Sequence, residues 1–558
     1  MHCSIRISWA AWLGINSLAE IIWNIVTNLG YSVISDLEYE SRIKGGTNWF
    51  DIHVSDNDKS IKKTINILLA FDAPAVIKSI NSLGNGGCII LNSKFLPKLP
   101  IDVLETIKLK NIQVLSLDIA DKFDNTYLLG ILVKFLGIDI DYAYIEIRKI
   151  FARKWEEVIQ KNIDIVTGIE KNYHIDKSYE ILFVKREWIK NIFTYGNKMI
   201  AHGAVDSELE YYSAYPMTPA SSILTEIIDS WKVPYLQAED EIAVINSALG
   251  ASFTGARAMV GTSGGWFALM TEAISFAAQA EFPIVIVLSQ RAWPSTGTPT
   301  YHEQGDINHA LHPSFGEFGH VVLCPSTLEE WYRFSGLALN IAQIYQTTVI
   351  LLTDKQFSEN FVSVSEDLMP TIVNRGKLLA NPTKGYKRYE LTEDSVSPYV
   401  RVGTEDGDFI ATSYEHDEYG ATSEDSSMKV AMTEKRAKKL ENFFEKEGIL
   451  GYEMMNKEAK KIIVTMSFNR YVAEDFIRKH SDYGLLVVKF LLPVDIRMCD
   501  ELRWKEEVIF MENNYGWQLE KHLSNELWLR YIDGLAISHF RKYDLTPFYQ
   551  EDLEIRFL

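Results

Sequence analysis

Short apolar segments alternate with segments of helical periodicity along most of the chain. The apolar segments are brief, rich in β-branched residues and bounded by turn residues, which is typical of strands buried on both faces. The clearest of them lie at 65–71, 87–92, 282–289, 320–325 and 348–354. Strands that alternate with helices form parallel sheets covered by helices, so the pattern predicts an α/β fold.

Changes in this pattern divide the 558 residues into five parts. An α/β domain over 1–150 is followed by a charged helical linker over 151–195 and by a second α/β domain over 196–357. Residues 358–455 form a connecting segment that is rich in turns and ends in a basic helix. A third α/β domain is predicted over 456–558, where strands again alternate with helices.

The composition narrows the classes of function. Apolar residues make up 47% and charged residues 23%, as in a globular protein, and the formal net charge of −19 argues against nucleic acid as the main partner. The four cysteines stand far apart, so their spacing indicates neither a metal cluster nor a disulfide framework. No apolar run is long enough to span a membrane, and the N-terminus lacks the basic start of a signal peptide. It is predicted as a strand followed by an amphipathic helix, and the protein as cytoplasmic.

Candidate chemistry is concentrated in the second α/β domain. Thr218 and Pro219 follow a short strand at 211–214, and this pair is common where a helix begins, so Thr218 is predicted as an N-cap. Glu241 starts a helix with a face of small residues, Ala248 and Gly250 among them. It is therefore either a carboxylate buried beneath a ligand or an exposed residue of the first turn. Anions bind at such helix starts, beyond the carboxyl ends of the strands.

Two loops of the same domain add further candidates. Ser263, Gly264 and Gly265 precede a helix, where backbone amides can hold an anion, although such a triplet is usually only a turn. Arg291 lies in a long polar loop after a buried strand, and its guanidinium is suited to a carboxylate. Four histidines of this region are expected to be neutral surface or capping residues: His302, His309, His312 and His320.

Two later segments are expected to be structural. Residues 415–420, EHDEYG, place acids beside a histidine, but consecutive side chains point in different directions and rarely bind one ion. A structural or interface role is therefore favoured over metal binding. Residues 433–448 carry basic and then acidic residues at helical spacing and are predicted as a solvated helix with i,i+4 ion pairs.

Five motifs in this order resemble the alpha subunit of 2-oxoacid:ferredoxin oxidoreductases. They are YPMTP (215–219), QAEDEIAVINSALGAS (237–252), TSGGWFALMTEA (262–273), QRAWPSTGTPTYHEQGDI (290–307) and EHDEYG (415–420). The usual forms of the first four in that family are YPITP, QAEDEIAA, TSGPGF and QRxGPSTGxPTRxEQGDL. Residues 43–56 resemble the family's gamma domain and residues 461–523 its C-terminal domain, so the chain is identified as a fused gamma–alpha polypeptide.

The resemblance implies what the three α/β domains are and what they do. They would be a gamma-like domain, a domain that binds the pyrimidine half of thiamine diphosphate, and a transketolase C-terminal-like domain. The implied reaction is the oxidative decarboxylation of a 2-oxoacid with coenzyme A, which gives an acyl-CoA and CO2 and passes electrons to ferredoxin. Two alternatives stay open: a non-catalytic or regulatory paralogue that keeps the fold, and a thiamine-dependent non-redox decarboxylase.

The resemblance also assigns roles to individual residues. Glu241 matches the glutamate that hydrogen-bonds the aminopyrimidine, and Thr218 and Arg291 match positions at the substrate; these three are expected to be catalytic. Cofactor contacts are also expected from Tyr215, Pro216, Ser263, Gly264 and Gly265. Tyr301 stands at a substrate-binding position where the family has arginine. A monocarboxylic acid such as pyruvate or 2-oxobutyrate is therefore expected rather than 2-oxoglutarate.

Part of the family's machinery has no counterpart in this sequence. The diphosphate–Mg²⁺ motif and the cluster cysteines are missing, so a beta subunit is expected to carry Mg²⁺ and a [4Fe-4S] cluster and to form a heterodimer that is needed for activity. The glycine-rich turn of the gamma domain reads SWAAWLG (8–14), with only Gly14 retained. Whether coenzyme A binds at that turn is left open.

Overall fold

The computed structural model describes residues 2–10, 16–39, 47–119, 123–152, 154–175, 183, 185–186 and 191–557. Its strands are β1 (His2–Ala10), β2 (Ser32–Glu38), β3 (Thr47–Ser55), β4 (Ile65–Ala70), β5 (Leu83–Asn92), β6 (Gln113–Leu117), β7 (Asn191–Tyr195), β8 (Tyr211–Ala214), β9 (Tyr235–Gln237), β10 (Ala258–Ser263), β11 (Ile284–Gln290), β12 (Val321–Leu323), β13 (Thr348–Asp354), β14 (Phe361–Ser365), β15 (Tyr452–Met455), β16 (Lys461–Met466), β17 (Tyr483–Val488), β18 (Phe490–Leu492), β19 (Glu507–Glu512) and β20 (Ala536–Arg541).

The α-helices are α1 (Asn16–Asn28), α2 (Ala73–Ser79), α3 (Ile101–Leu109), α4 (Asp124–Phe135), α5 (Ile140–Ile150), α6 (Glu156–Asn172), α7 (Gly196–Asp206), α8 (Ser221–Ser230), α9 (Glu241–Phe253), α10 (Gly264–Phe267), α11 (Thr271–Gln279), α12 (Ile307–Leu311), α13 (Leu328–Tyr345), α14 (Lys355–Glu359), α15 (Ser426–Lys438), α16 (Phe443–Glu447), α17 (Asn469–Lys479), α18 (Arg497–Leu502), α19 (Gln518–Glu526) and α20 (Gln550–Phe557). None of the helices in the described ranges is both long and apolar enough to cross a bilayer.

The first compact unit consists of Met1–Thr194, Asn360–Glu366 and Tyr549–Leu558. Its sheet of eight strands has the order β6-β5-β4-β1-β3-β2-β14-β7. Strands β1, β4, β5 and β6 run parallel, whereas β3 is antiparallel to both β1 and β2. Of these parallel strands, β4 and β5 match the buried strands predicted at 65–71 and 87–92, and β1 matches the strand predicted at the N-terminus. The antiparallel strand β3 alternates apolar and polar residues, a pattern of strands whose two faces differ.

The two faces of this sheet do differ in chemistry. Ile5 and Ile7 of β1 belong to an apolar core with residues of α1, α4 and α6. On the opposite face, Arg6 of β1 donates two hydrogen bonds of 2.7 and 2.6 Å to the carboxylate of Asp51 on β3. The predicted helical linker, 151–195, contains α6, whose buried apolar residues join the same core. Trp12 and Gly14 of the altered gamma turn lie outside the described residues.

The second unit, Tyr195–Glu359 and Asp367–Phe548, contains two sheets. One has seven strands in the order β18-β12-β13-β11-β10-β8-β9, and the other has five in the order β15-β17-β16-β19-β20. One apolar cluster contains residues from β10 and β11 of the first sheet and from β16 and β19 of the second. The α/β class predicted from the sequence is confirmed, and all five of the clearest predicted strands are present. The finer division into five parts stays a prediction.

The basic helix, α15, is less exposed than the charge pattern predicts. Lys435, Arg436 and Lys439 are buried, so the prediction of a wholly solvated helix is wrong. Lys435 and Lys439 both bind the carboxylate of the buried residue Glu281, with distances of 2.6 and 2.5 Å. Their partner lies more than 150 positions away in sequence, so charge spacing within the helix does not reveal it. The exposed residues Glu434 and Lys438 do form the predicted i,i+4 pair.

The segment EHDEYG has the separate contacts expected of a structural role. Glu415 accepts two hydrogen bonds from Arg436, at 3.0 and 2.7 Å. The ring of His416 is buried 4.0 Å from that of Tyr389, and Asp417 accepts hydrogen bonds from backbone N–H groups of its own turn. In the described parts of the chain, no three His, Cys, Asp or Glu side chains are grouped so that they would hold a metal ion.

The Glu281 cluster gives a prediction for stability. Burial alone would raise the pKa of Glu281, but the charges of Lys435, Lys439 and Arg388 hold it well below its ordinary range. Glu281→Gln leaves two buried ammonium groups without their counter-charge, and breaking a buried pair in this way costs about 3–5 kcal/mol. We expect a clear fall in the free energy of unfolding, measured with denaturant.

Glu434→Gln is the matched control for that measurement. Glu434 pairs with Lys438 at 2.8 Å, and their side chains are 58% and 49% exposed. An exposed ion pair contributes less than about 1 kcal/mol because water screens it. Equal losses of stability in the two variants would contradict a structural role for the buried cluster.

Candidate active site

Four neighbouring strands of the seven-stranded sheet end at the same edge. Strands β9, β8, β10 and β11 are adjacent and parallel. Tyr215–Thr218 follow β8, α9 follows β9, the glycine pair at 264–265 follows β10, and Arg291 follows β11. In open α/β sheets, ligands bind beyond the carboxyl ends of the strands. The structure therefore brings the predicted site residues to one edge of one sheet.

Glu241 is the first residue of α9, and its side chain is buried. The helix begins here because Asp240 caps it, accepting a 2.8 Å hydrogen bond from the backbone of Ala243. The Oε1 atom of Glu241 is buried, and none of the described residues donates a hydrogen bond to it. Burial raises the pKa of Glu241 above its ordinary range. Of the two sequence readings, the buried carboxylate is the one observed, while Glu239 is exposed.

The small residues on α9 have different environments. Ala248 is buried, but Gly250 is exposed, and a Cβ placed there would meet no atom within 4 Å. Close packing against Gly250 is therefore absent within the described chain. The surface of α9 at Gly250 is exposed.

Arg291 and Thr218 lie together, although more than 70 residues separate them. The buried guanidinium of Arg291 donates a 2.7 Å hydrogen bond to the backbone oxygen of Thr218. The predicted N-cap at Thr218 is wrong, because α8 begins at Ser221 with Ala220 in the capping position. The carbonyls of Thr218 and Pro219 accept from the side chains of Arg291 and Asn197. These long-range contacts fix the turn before the helix.

The glycine pair after β10 lies against the loop that follows β11. A Cβ at Gly264 would clash with the carboxylate of Asp306, and one at Gly265 would lie 3.0 Å from the ring of Trp293. The hydroxyl oxygen of Ser263 is buried without a hydrogen-bond partner. Glycine is required at position 264, and a side chain at position 265 would need the Trp293 ring to shift slightly, because the two loops approach each other closely.

The remaining predicted residues flank this edge. Tyr215 and Pro216 are exposed just beyond β8. Tyr301 is half-buried, and its carbonyl accepts a 3.2 Å hydrogen bond from the backbone of Ala292, next to Arg291. Tyr301 therefore belongs to the same loop, which is closed by this contact. The roles assigned to these three residues stay predictions.

The loop after β11 contains residues that sequence reasoning did not single out. Trp293 donates a 2.8 Å hydrogen bond from Nε1 to Asp306, and burial raises the pKa of that carboxyl to about 7. Gln304 is fully buried and donates to Asp354 at 2.8 Å. Its main-chain N–H also donates to Asn513, which follows β19 of the five-stranded sheet. The sequence signal for Trp293, Gln304 and Asp306 is that all three lie within the motif at 290–307.

Two of the four histidines differ from expectation. His302 and His320 are buried rather than at the surface, and burial lowers the pKa of each below its ordinary value. His320 keeps a 3.0 Å contact between Nε2 and the carbonyl oxygen of Ala310. His309 is half-buried and His312 is exposed. Hydropathy did not reveal these burials because a neutral imidazole is tolerated in a core.

Comparisons with known proteins agree with this fold. A family described as pyruvate flavodoxin/ferredoxin oxidoreductase, thiamine diphosphate-binding, matches residues 202–436, and one described as pyruvate ferredoxin/flavodoxin oxidoreductase matches residues 8–168. The 2-oxoacid:ferredoxin oxidoreductase subunit alpha of Saccharolobus solfataricus is 30% identical, over 92% of each chain. That of a Sulfolobus species is 28% identical, over 99% of this chain and 96% of its own.

A solved structure is similar over the full length. The 2-oxoglutarate:ferredoxin oxidoreductase of Magnetococcus marinus, determined with 2-oxoglutarate, coenzyme A and succinyl-CoA bound, has a TM-score of 0.86 and 26% identity. The match covers 100% of this chain and 98% of the other. The chain belongs to the family of 2-oxoacid:ferredoxin oxidoreductase alpha subunits. The resemblance identified from its motifs is thus confirmed.

Asp306 gives a prediction for the dependence of stability on pH. Its pKa is about 7 in the folded protein, against an ordinary value of 3.8. Between these values the folded state keeps a proton that the unfolded state has lost, so this group lowers stability as pH rises towards 7. Asp306→Asn removes the effect. We expect the melting temperature of the variant, relative to the unmodified protein, to rise from pH 5 to pH 7 and then to level off.

Thermal unfolding in a pH series measures this difference. Asp102→Asn, on the exposed first turn of α3, is the control. It gives the change in melting temperature that results when an exposed aspartate is replaced by asparagine. A difference that does not vary with pH would mean that Asp306 is already ionised in the folded protein at pH 5.

Proposed function

We propose that this chain, with a beta subunit, catalyses the coenzyme A-dependent oxidative decarboxylation of a 2-oxoacid to an acyl-CoA and CO2, with electrons passed to ferredoxin. The observation that carries the proposal is the buried oxygen of Glu241 that lacks a partner. A carboxylate in such a place costs free energy unless a donor from outside the chain completes it. Its position beyond the strand ends agrees with a ligand site.

The residues at this edge fit the pyrimidine half of thiamine diphosphate. Glu241 offers an acceptor to the aminopyrimidine, and its raised pKa allows it to hold or release a proton at Oε1. Ser263 would add a buried hydroxyl, and Gly264, Gly265, Tyr215 and Pro216 would border the ring. When bound, thiamine diphosphate would supply a carbon nucleophile that adds to the keto group and a cationic ring that takes up the electron pair left by CO2.

Arg291 and Thr218 are proposed to bind the 2-oxoacid. A guanidinium that is almost fully buried binds a carboxylate strongly, because little water competes with it. Its hydrogen bond to the carbonyl of Thr218 holds the two residues in one place, so that hydroxyl and guanidinium can orient the substrate. Tyr301 provides no positive charge for a second carboxylate, which favours monocarboxylic 2-oxoacids such as pyruvate or 2-oxobutyrate.

The beta subunit is proposed to carry the diphosphate-binding Mg²⁺ and a [4Fe-4S] cluster and to form a heterodimer with this chain in the cytoplasm. The surface around β9 supports a protein partner. β9 is the last strand of its sheet, and large apolar side chains are exposed around it: Trp231, Tyr235, Leu236 and Ile242. Apolar patches of this kind mark protein interfaces. They lie beside the helix that begins with Glu241.

Glu241→Gln tests the proposed catalytic function. Glutamine keeps the size of the side chain but cannot exchange a proton, so we expect the assembled enzyme to lose turnover roughly 10²–10⁴-fold. The measurement is dye reduction that depends on 2-oxoacid, thiamine diphosphate and coenzyme A, with the alpha and beta chains produced together.

Two controls accompany this measurement. Glu239→Gln, two residues earlier and exposed, should retain full activity. The chain without its partner should be inactive, because it lacks the diphosphate and cluster sites. Wild-type turnover by the Glu241→Gln enzyme, or appreciable turnover by the single chain, would contradict the proposal.

Arg291→Ala tests substrate binding. A charge-assisted hydrogen bond contributes about 1.5–3 kcal/mol, so we expect kcat/KM for pyruvate to fall about 10–200-fold. Thiamine diphosphate affinity, measured by titration of the assembled enzyme, should change little. Arg291→Lys keeps the charge and should restore part of the loss. A full loss of cofactor binding in Arg291→Ala would show that Arg291 serves the cofactor site instead.

A further inference from the structure

Trp293 stands where the usual family motif, QRxGPSTG, has glycine. A second exchange accompanies it, since Gly265 stands where TSGPGF has proline. In the structure, a Cβ at Gly265 would lie 3.0 Å from Cζ3 and 3.4 Å from Cη2 of the Trp293 ring. The indole therefore packs closely on Gly265, and a side chain at that position would have to displace the ring by a few tenths of an ångström. The two exchanges are complementary.

Contacts on several sides hold the Trp293 ring in place. The guanidinium carbon of Arg291 lies 4.5 Å from the ring centroid, a cation–π contact. The ring Nε1 donates to Asp306 at 2.8 Å, and the main-chain N–H donates to the carboxylate of Glu303 at 3.2 Å. The indole is thus held beside the guanidinium of Arg291, the group proposed to bind the substrate carboxylate.

We propose that Trp293 determines substrate specificity by closing the side-chain pocket next to Arg291. The proposal rests on the proposed function, because it takes Arg291 as the carboxylate-binding residue. An indole in place of a glycine hydrogen leaves room for a short substrate chain only. Glu303 and Asp306, which accept hydrogen bonds from the same tryptophan, offer no positive charge to a second substrate carboxylate. The substrate class is a 2-oxoacid with a small, uncharged side chain.

The test compares kcat/KM for pyruvate, phenylpyruvate and 2-oxoglutarate in the assembled alpha–beta enzyme. Trp293→Gly opens a space of about the size of an aromatic ring. We expect the ratio of phenylpyruvate to pyruvate to rise at least about tenfold, the scale on which an apolar pocket discriminates by size. The ratio of 2-oxoglutarate to pyruvate should rise less, since the substitution adds no positive charge for the second carboxylate. Trp293→Phe keeps a ring and should preserve the wild-type preference.

Trp504→Gly is the matched control, because Trp504 is 83% exposed and its loss should leave all ratios unchanged. Trp293→Leu, which keeps an apolar side chain, should give an intermediate ratio and replaces the glycine variant if that one fails to fold. Unchanged ratios in the glycine or leucine variant of an active enzyme would overturn the specificity role alone. An equal gain for the two larger acids would overturn the charge argument. A wild-type enzyme without 2-oxoacid turnover would overturn this inference together with the proposed function.

Discussion

The parallel alignment of β9, β8, β10 and β11 is the constraint on which the candidate site depends. Each of these strands ends at the same edge, and the chain returns through a helix before the next strand begins. Thr218, Glu241 and Arg291, which span more than 70 positions, therefore all lie at this edge, where Arg291 contacts Thr218. A register shift by one residue would turn every side chain of a strand to its other face. The register of β10 against β11, in which Ser263 pairs with Ser289, thus fixes where Ser263 and Arg291 stand at this edge.

Three of the buried carboxyl groups in the second compact unit, those of Glu281, Asp306 and Glu241, have different environments. Glu281 is surrounded by positive charge and serves stability. Asp306 accepts one indole N–H, and burial brings its pKa to about 7. The Oε1 atom of Glu241 is buried too, but it accepts no hydrogen bond from the described residues. An unpaired buried acceptor is unfavourable, which supports the proposal that a ligand completes the hydrogen bonding of Glu241.

The sequence predicted the strands and the sheet edge at which the motifs lie. Both predictions depend on local signals, namely hydrophobic periodicity and the succession of strands and helices along the chain. Prediction from sequence failed where a side chain depends on a distant partner. The start of α8 differs because the carbonyls of Thr218 and Pro219 bind Arg291 and Asn197, and the basic helix is buried by Glu281. The packing of Trp293 on Gly265 joins two loops almost 30 residues apart. No single-sequence pattern encodes these pairings.

The site as this chain presents it is incomplete in two independent respects. Among the described residues, no group donates a hydrogen bond to the buried Oε1 atom of Glu241, and the large apolar side chains around β9 are exposed. Each is unfavourable in an isolated chain, the first through lost hydrogen bonding and the second through exposure of apolar area to water. Ile242, which is exposed, follows Glu241 directly in α9, so both features belong to the same first turn. A cofactor held between this chain and a partner would remove both costs at once, which is why the proposed function requires assembly.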